Sequence, residues 1–584
     1  MTHIFSLVPA DPLCVNKASV AWIPGSVAGR TLDILPLMAV CHHWRSIVLG
    51  TPLLWSTIEE SNDSPGRRPH FMDYIHRCER GPLYVHVHGD PHEDTLAILT
   101  RHGERVRDLC VAYTSHWHEA FHAMLSFKGD NLQNCSVNLG TLDNANGAPL
   151  QPFFQGHTPH LQSLRLERTP YLPSNRFPAL THLTVECSWT IIFTFRDLQT
   201  FLANCPGLQS LHLGMLAASR MEAPTTTVAH DSSIHFPHLR RFSVLDELRP
   251  SHGPPGQNHG LDGPISAEDV RFLVNRSAIH RALLSSIVLP AQRIVYLKPV
   301  LSRDLSAYAD QISKESMEPS SMRVIDAQQS YADPWRGSGL ISLQLVDPVT
   351  WRGARFDVQV RGCNEAKPTI QENLRLAIAA SPLFAHVREL WIDTGAVEFL
   401  YVRDSILRSL PRLKFLQLWC SPKEDHRLGS VLEVLTPLKG GSVMCPELDT
   451  LCVLVPGEGH IKRLRKLLRR RAEMGHPLQR LHVVWDVAED IDGASIQGSS
   501  NENSDSSSRR GTSAAHQYQE ARDLGELVEH FGFSKTLNRT KAPRFPRNSW
   551  MPSWDDRVPP ECRAAEELEE YWPVWEHRAY PWDE

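Results

Sequence analysis

Residues 161–166 read Leu161-Gln162-Ser163-Leu164-Arg165-Leu166, a short unit with apolar side chains at its first, fourth and sixth positions. The last two apolar positions alternate with polar ones, as they do in a strand that buries one face. The same unit recurs along the chain with other apolar residues in place of some leucines. Seven further strong copies are Leu180/Leu183/Val185, Leu208/Leu211/Leu213, Leu239/Phe242/Val244, Val387/Leu390/Ile392, Leu413/Leu416/Leu418, Leu448/Leu451/Val453 and Leu478/Leu481/Val483.

The spacing of the copies is that of a repeat array. In the well-formed stretches they lie 19 to 35 residues apart, within or close to the range of leucine-rich repeats. Between Leu239 and Val387 the gaps grow to 45–56 residues, which predicts insertions around residues 245–385. Four weaker copies are Val106/Leu109/Val111, Leu132/Cys135/Val137, Leu284/Ile287/Leu289 and Leu340/Leu343/Leu345.

A proline comes shortly before most strong copies, and helical periods lie between copies. Proline ends a helix and is tolerated at the first position of a strand, so we expect it at that boundary. The prolines are Pro159, Pro178, Pro206, Pro237, Pro411, Pro446 and Pro477. The helical periods are Leu198/Phe201/Leu202, Ile406/Leu407/Leu410 and Val270/Leu273/Val274, the last entered through a start at residues 266–269 that resembles a capping box.

A unit of strand, connector, helix and proline has an apolar face that it cannot bury alone, so the copies must stack. We therefore predict an α/β fold: a leucine-rich-repeat-like solenoid of parallel strands and helices over residues 70–486. The alternative is chance clustering of leucine in an ordinary α/β domain. A repeat surface of this kind holds another macromolecule.

Composition excludes several classes of protein. A formal charge of −6 gives no general attraction to nucleic acid or to anionic membranes. The twelve cysteines are scattered without a C-x-x-C pair, which favours reduced thiols in an intracellular protein. The N-terminus has no secretory signal pattern, and no window is apolar for long enough to span a membrane. We expect a cytoplasmic or nuclear protein that needs no cofactor.

The character of the chain changes after Asp486. Residues 487–520 include a serine-rich run that is too polar to fold alone, which predicts a disordered linker. A short helix is expected around residues 521–530. The tail 521–584 ends with Trp550, Trp554, Trp572, Trp575 and Trp582 among acidic residues. We expect this tail to cap the solenoid, because the ends of a solenoid need covering; a free peptide motif for a partner is the alternative.

Residues 35–58 contain a second pattern, V-C-x-x-W-R followed by T-P-x-L-W-S-x-I. Val40, Trp44, Ile47 and Val48 recur at helical spacing and form one apolar stripe. Pro52 then forces a turn, so that Leu54 and Trp55 can fold back on the stripe. From the residues alone, a generic amphipathic hairpin is an alternative interpretation.

This pattern resembles the second half of the F-box motif in the form found in mushroom-forming fungi. Residues 78–87 are similar to the strand that follows the F-box in those proteins, and irregular leucine-rich repeats follow there too. The first half departs from the family, because residues 3–7 resemble only the end of its opening helix, which normally starts with Leu-Pro-x-Glu. The predicted module, residues 1–58, therefore has an incomplete first helix.

The resemblance implies a substrate-recognition adaptor of a Skp–cullin–F-box ubiquitin ligase, which takes part in ubiquitin-dependent degradation through protein–protein interaction and is not itself an enzyme. The implied partners are a Skp-type adaptor, a cullin scaffold and a target protein whose identity the sequence does not disclose. A solenoid scaffold without ligase coupling is the alternative. The implied adaptor-binding residues are Ile4, Phe5, Leu35, Pro36, Val40, Cys41, Trp44, Arg45, Pro52, Leu54 and Trp55.

One pattern suggests catalysis. His118-Glu119-Ala120-Phe121-His122 matches H-E-x-x-H, which on a helix could bind zinc through His118 and His122 with Glu119 as general base. A zinc metallopeptidase is a distant third hypothesis, because no third ligand follows in the usual motif. We expect this segment to be a repeat helix. No phosphate-binding, dinucleotide-binding or serine-hydrolase motif is present.

Residues 462–471 form a basic run, interleaved with Ile461, Leu464, Leu467 and Leu468 at helical spacing. We expect the solvent-facing side of a repeat helix here. An import signal or a site for an acidic partner is the alternative. Nucleic-acid binding is the weakest hypothesis, since one basic helix on an acidic protein supplies few phosphate contacts.

Overall fold

The computed structural model describes residues 38–61, 71–78, 80–113, 118–139, 152–169, 172–187, 193–214, 216, 233–245, 278–288, 294–301, 304–313, 319–326, 340–347, 349, 352–359, 367–392, 406–418, 425–438, 441–455, 458–486 and 519–536. These fall into two compact units, one up to residue 298 and the other from residue 299 onward. Both units combine parallel strands with helices, so the α/β prediction is confirmed.

In the first unit the described strands form a parallel sheet in which each strand pairs with the next in the order listed here. The strands are β1 (Thr57–Ser61), β2 (Leu83–His88), β3 (Val106–Tyr113), β4 (Asn134–Leu139), β5 (Ser163–Glu167), β6 (His182–Glu186), β7 (Ser210–Gly214), β9 (Arg241–Leu245) and β11 (Ile294–Leu301).

The register of this sheet follows the sequence pattern. Two register positions carry the apolar side chains of the motif across four neighbouring strands. All eight side chains are at most 2% exposed, so they form a continuous apolar ladder with a spacing of about 4.8 Å. One position holds Leu164, Leu183, Leu211 and Phe242, and the other holds Leu166, Val185, Leu213 and Val244.

The recurring proline does not lie on a strand. At six of the seven positions it is the second residue of a turn, closed by a hydrogen bond from the amide of the motif's first apolar residue to the carbonyl of the residue before proline. Phe177 accepts this bond from Leu180 at 3.4 Å, and Cys445 accepts it from Leu448 at 3.0 Å. Proline suits this place because its fixed φ matches the second position of a β-turn. Our placement at the first residue of a strand was therefore wrong by a few residues.

The helices of the first unit lie between the strands. They are α1 (His42–Leu49), α2 (Phe71–Cys78), α3 (Glu93–His102), α4 (His118–Met124) and α5 (Phe195–Ala203), and residues 278–286 are also helical. Helix α5 begins with a capping box between Thr194 and Asp197, and it buries Leu198, Phe201 and Leu202 as predicted. The other capping-box-like start, at residues 266–269, lies outside the described residues.

One weaker copy of the motif lies off the main sheet. Ile287 belongs to β10 (Ile287–Val288), which pairs in parallel with β8 (Ile234–His235) in a separate sheet of two strands. Leu284 precedes it within a helical stretch, residues 278–286. The interpretation of Leu284/Ile287/Leu289 as a repeat strand was wrong.

In the second unit, three strands that run in alternating directions precede a parallel sheet. β12 pairs with β13 and β13 with β14 in antiparallel register, whereas β12 pairs in parallel with β15. From β15 to β19 each strand pairs in parallel with the next. The strands are β12 (Ser321–Asp326), β13 (Leu340–Asp347), β14 (Arg352–Gln359), β15 (Glu389–Ile392), β16 (Phe415–Leu418), β17 (Thr450–Val455), β18 (Arg480–Asp486) and β19 (His530–Thr536).

The copy Leu340/Leu343/Leu345 lies on β13, so the expected parallel repeat strand is wrong at this position. Leu343 and Leu345 are buried as expected, but their strand is antiparallel to both neighbours. The reason is the connection, because only residues 348–351 separate β13 from β14. A parallel crossover needs a dozen or more residues, and four residues allow only a hairpin.

The helices of the second unit are α6 (Leu305–Ser313), α7 (Lys367–Ala380), α8 (Asp425–Leu435) and α9 (Glu458–Glu473). The predicted helical period at Ile406, Leu407 and Leu410 is a single 3-10 turn, Ile406–Ser409, with all three side chains buried. Helices α8 and α9 approach closely at Gly429, where a Cβ atom would overlap the guanidinium of Arg463.

The strand β19 was not predicted. Residues 519–527 are helical, as expected nearby, but His530–Thr536 then pairs in parallel with β18. The sequence signal for this strand was the alternation of Phe531 and Phe533. These residues lie in the predicted tail 521–584, and the leucines of the motif are missing there. The remaining linker and tail, residues 487–518 and 537–584 with their five tryptophans, lie outside the described residues.

Candidate functional site

The first candidate surface is the segment 38–55, which carries the F-box-like pattern. Cys41 precedes α1, and its Sγ accepts a hydrogen bond from the Trp44 amide at 3.5 Å. The Arg45 side chain donates to the Met38 carbonyl at 3.0 Å. The indole of Trp55 donates to the Val48 carbonyl at 2.9 Å, so the turn through Pro52 folds back on α1 as predicted.

Trp55 anchors this segment to the sheet. Its side chain is 1% exposed, and it lies in the 3-10 turn Pro52–Trp55, directly before β1. The Tyr74 ring of α2 is 5.4 Å from the indole ring, and the Arg77 guanidinium lies 4.4 Å from its centroid, a cation–π contact. Burial raises the pKa of Tyr74 above its usual value, which keeps the phenol neutral.

The apolar stripe of α1 is only partly buried. Of its residues, Val48 is fully buried, Trp44 and Ile47 are partly buried, and Val40 is 59% exposed. Trp55 folds back on the buried end of the stripe, whereas Val40 lies before α1 and is left exposed.

The implied adaptor-binding residues are placed as follows. Val40, Cys41, Trp44, Arg45, Pro52, Leu54 and Trp55 come together within the α1 segment. Ile4, Phe5, Leu35 and Pro36 lie outside the described residues.

The second candidate surface is the sheet face opposite the apolar ladder, which we call the second face. In the first unit, cross-strand polar pairs occupy it. Asn134 donates to Asp108 at 2.7 Å, and His212 shares a hydrogen bond of 2.7 Å with Ser243. These pairs are cross-strand neighbours, so the side chains are held in fixed positions.

An arginine bridges two strands on the same second face. Arg165 pairs with Glu167 on its own strand and lies 3.7 Å from Glu186 on the next strand. Glu167 is 4% exposed, and its burial beside a cation is consistent with a carboxylate that is paired rather than solvated. The first unit thus holds a row of paired polar and charged side chains that are largely buried.

In the second unit the second face combines polar pairs with apolar contacts. Arg355 pairs with Asp357 on β14 at 2.9 Å, and Ser321 donates to Glu389 across β12 and β15 at 2.7 Å. Trp391 and Phe415 pack across β15 and β16 with ring centroids 5.0 Å apart, and Leu454 packs with Val484 across β17 and β18. The last four side chains are at most 5% exposed. Strands buried on both faces read as continuous apolar runs, as Thr450–Val455 does.

A histidine joins β18 to β19 on this face. His482 is fully buried, and its Nε2 shares a hydrogen bond of 3.0 Å with the Ser534 hydroxyl. Gly532 lies opposite, where a Cβ atom would overlap the imidazole ring. Burial lowers the pKa of His482 to about 4, so the ring is neutral at physiological pH.

The basic run forms helix α9. Ile461, Leu464, Leu467 and Leu468 are buried, and Lys462, Arg463, Lys466 and Arg469 are exposed, as expected of the solvent-facing side of a helix. Arg471 is the exception, because it is fully buried. Its guanidinium donates to the carbonyls of Met444, Cys445 and Leu448 at 2.8, 2.9 and 3.3 Å, which ties α9 to the loop before β17.

The H-E-x-x-H pattern lies on helix α4, as we expected of a repeat helix. The side chains of His118 and Glu119 lie outside the described residues. His122 is partly buried, and its ring lies 5.7 Å from that of Phe121. The described residues contain no cluster of three or more metal-ligating side chains.

The eight cysteines of the described residues form no disulfide bond with one another. Burial raises the pKa of Cys445 to about 12 and the pKa of Cys135, Cys205 and Cys452 well above the ordinary value. Protonated thiols of this kind are poor nucleophiles, so these four serve as small apolar groups.

Within the parts of the chain described above, no helix has both the length and the apolar character needed to cross a membrane. No protein-family model matches this chain, and no curated protein matches it.

Proposed function

We propose that this chain is a substrate-recognition adaptor of a Skp–cullin–F-box ubiquitin ligase. In this proposal the segment 38–55 docks to a Skp-type adaptor, and a leucine-rich-repeat-like solenoid holds the target protein. The observation that carries the proposal is the exposure of Val40, which lies directly before the N-cap residue of α1. Val40 is 59% exposed although it belongs to an F-box-like motif that is anchored by buried Trp55.

The mechanism requires no catalytic residue. An adaptor works by proximity, because it raises the local concentration of the target's lysines near an enzyme that carries ubiquitin. Efficient transfer needs a stiff link between the docking segment and the target-binding region. Trp55 supplies such a link, since its indole is hydrogen-bonded to α1 while the chain enters β1 two residues later, at Thr57.

The pairs Asp108–Asn134 and His212–Ser243 hold neighbouring strands of the first unit together. Asp108, Asn134 and His212 are 6%, 9% and 3% exposed, so these pairs would stiffen the sheet that carries the target and would not contact the target directly.

Binding to a purified Skp-type adaptor tests the proposal. We expect the wild-type chain to co-elute with the adaptor and Val40→Asp to weaken the complex at least about tenfold, since a carboxylate would be buried without a partner. Val349→Asp is the matched control, because Val349 is 83% exposed and lies in the second unit. It should bind as the wild type does.

Two outcomes would support other functions. If neither the wild type nor the control binds the adaptor, the chain is a solenoid scaffold without ligase coupling. Stoichiometric zinc in the purified protein, lost in His122→Ala, would favour the metallopeptidase hypothesis for His118, Glu119 and His122 instead.

A further inference from the structure

Helix α9 presents a dense positive surface that its neighbours neutralise only in part. The helix contains seven lysines and arginines and two glutamates. We define its cationic face as Lys462, Arg463, Lys466, Arg469 and Arg470. Arg463 lies 3.8 Å from Glu433, and Arg470 lies 2.9 Å from Glu473. Lys466 and Arg469 are exposed.

Like charges on this face repel one another. Lys462, Lys466 and Arg469 follow one another at helical spacings of four and three residues, which places them side by side along one side of the helix. Like charges at these spacings destabilise a helix, and an anionic partner would relieve the repulsion. The cationic face therefore suits an acidic segment.

The chain leaves the described structure near this helix. β17, β18 and β19 are parallel, so their C-terminal ends share one edge of the sheet. Helix α9 begins at Glu458, shortly after β17 ends at that edge, and the C-terminal segment starts after Thr536 at the end of β19. Two strand spacings, about 10 Å, separate the end of β17 at Val455 from Lys535 of β19.

The C-terminal segment has the opposite charge. Residues 555–570 contain seven aspartates and glutamates and two arginines. The 18 residues 537–554 that precede them can span up to about 60 Å, which is ample for the distance to α9. Because the segment belongs to the same chain, its effective concentration is high, so weak charge contacts suffice.

We propose that the acidic C-terminal segment, residues 555–570, binds the cationic face of α9. The contact is electrostatic, so it weakens as salt is added. It blocks the face to other acidic partners until the segment is displaced. The adaptor function proposed above is not needed for this inference.

Carbodiimide coupling of the full-length protein tests the contact, because it joins a lysine amine to a carboxylate in direct contact. We expect Lys462 and Lys466 to couple to glutamates of residues 566–570 at low salt, with a yield that falls as salt is added. Lys414 and Glu447 lie 3.9 Å apart and serve as the internal standard. Lys128, which is exposed elsewhere, should couple to the segment at background level only.

Reversing the charges on α9, on the segment, or on both gives the decisive control. Chymotrypsin cleavage near Trp572 and Trp575 should be about five-fold faster or more in Lys466→Glu/Arg469→Glu, since cleavage follows the released population. Glu566→Lys/Glu567→Lys should do the same, and the combination of all four changes should restore slow cleavage. Thermal unfolding shows whether each variant is folded. Arg240→Glu/Arg412→Glu, which reverses two exposed charges elsewhere, should change nothing.

Unchanged cleavage in folded Lys466→Glu/Arg469→Glu would overturn the proposal. So would coupling of the segment to Lys128 at the yield found for Lys466. Failure of the four-fold exchange to restore slow cleavage would also contradict it, because the two sets of charges would then act independently. Loss of adaptor binding in the separate Val40→Asp experiment bears only on the ligase function.

Discussion

The two units build their strands with the same turn and the same apolar ladder, yet they use the opposite face of the sheet differently. In the first unit this second face holds polar pairs such as Asp108–Asn134 and His212–Ser243. In the second it holds Trp391 packed on Phe415 as well as polar pairs such as Ser321–Glu389. One face of the motif therefore makes the fold, while the other varies between units in how far polar pairs or aromatic contacts fill it.

The ladder is the part that both units share, so damage there should be equally severe in either unit. Leu211→Asp in the first unit and Leu416→Asp in the second should each lower the free energy of unfolding by at least about 4 kcal/mol, because an unpaired charge would enter an apolar core. Both side chains are at most 1% exposed. Chemical denaturation measures the loss. A small loss of unfolding free energy at either position would show that the two ladders do not stabilise their units equally.

The second face should respond differently in the two units. Trp391→Ala should cost about 3–5 kcal/mol, the usual range for a large buried aromatic side chain. Thr184→Ala in the first unit should lower the free energy of unfolding by about 1 kcal/mol or less. The two side chains are similarly buried, since Thr184 is 5% exposed and Trp391 is 2% exposed. Equal losses in thermal or chemical unfolding would show that the two faces contribute alike.

The pH dependence of stability sharpens the comparison at β18 and β19. The pKa of His482 is about 4 in the folded chain and about 6.5 when unfolded, so the unfolded chain binds a proton first as the pH falls. Stability is therefore full above about pH 6.5 and is lost toward pH 4, by about 3 kcal/mol at pH 4.

His482→Gln should remove most of this slope in pH-dependent denaturation. His530→Gln, which changes an exposed histidine on β19, should leave the slope in place. A slope that survives in His482→Gln would assign the titration to other groups. His182 in the first unit is one such group, because burial and the nearby Arg241 lower its pKa too.

The smallest expected effect concerns the polar pair in the first unit. A double-mutant cycle on Asn134→Ala and Asp108→Ala should give a coupling free energy of about 1 kcal/mol, as expected of a hydrogen bond to a carboxylate. A coupling near zero in denaturation experiments would mean that the buried 2.7 Å contact does not stabilise the sheet.

Much of the fold followed from local pattern, because the pattern has a simple physical cause. Leu211 and Leu213 alternate with polar residues, so their burial on a strand was predictable. The direction of β13 was not, because strand direction depends on the length of its connection, and the motif at Leu340 looks the same in either direction. β19 was missed since its ladder positions carry Phe531 and Phe533 and no leucine.

The candidate site was predicted less completely. The fold-back of Trp55 followed from Pro52, but the exposure of Val40 depends on what packs around α1, which no local pattern specifies. The burial of Arg471 had a signal that we did not use. It follows Leu467 and Leu468 by four and three residues, so it continues the apolar stripe of α9. A charged residue at a buried helical position indicates a structural hydrogen-bond network.

We propose that the segment 38–55, anchored by Trp55, couples the sheet to a ubiquitin ligase. Affinity purification of the chain from cells with ligase activity blocked tests it most directly, with the Skp-type adaptor and the cullin quantified. We expect both to accompany the wild type and Val349→Asp, and both to be lost together from Val40→Asp. Retention of adaptor and cullin by Val40→Asp, or their absence from the wild type, would contradict the account.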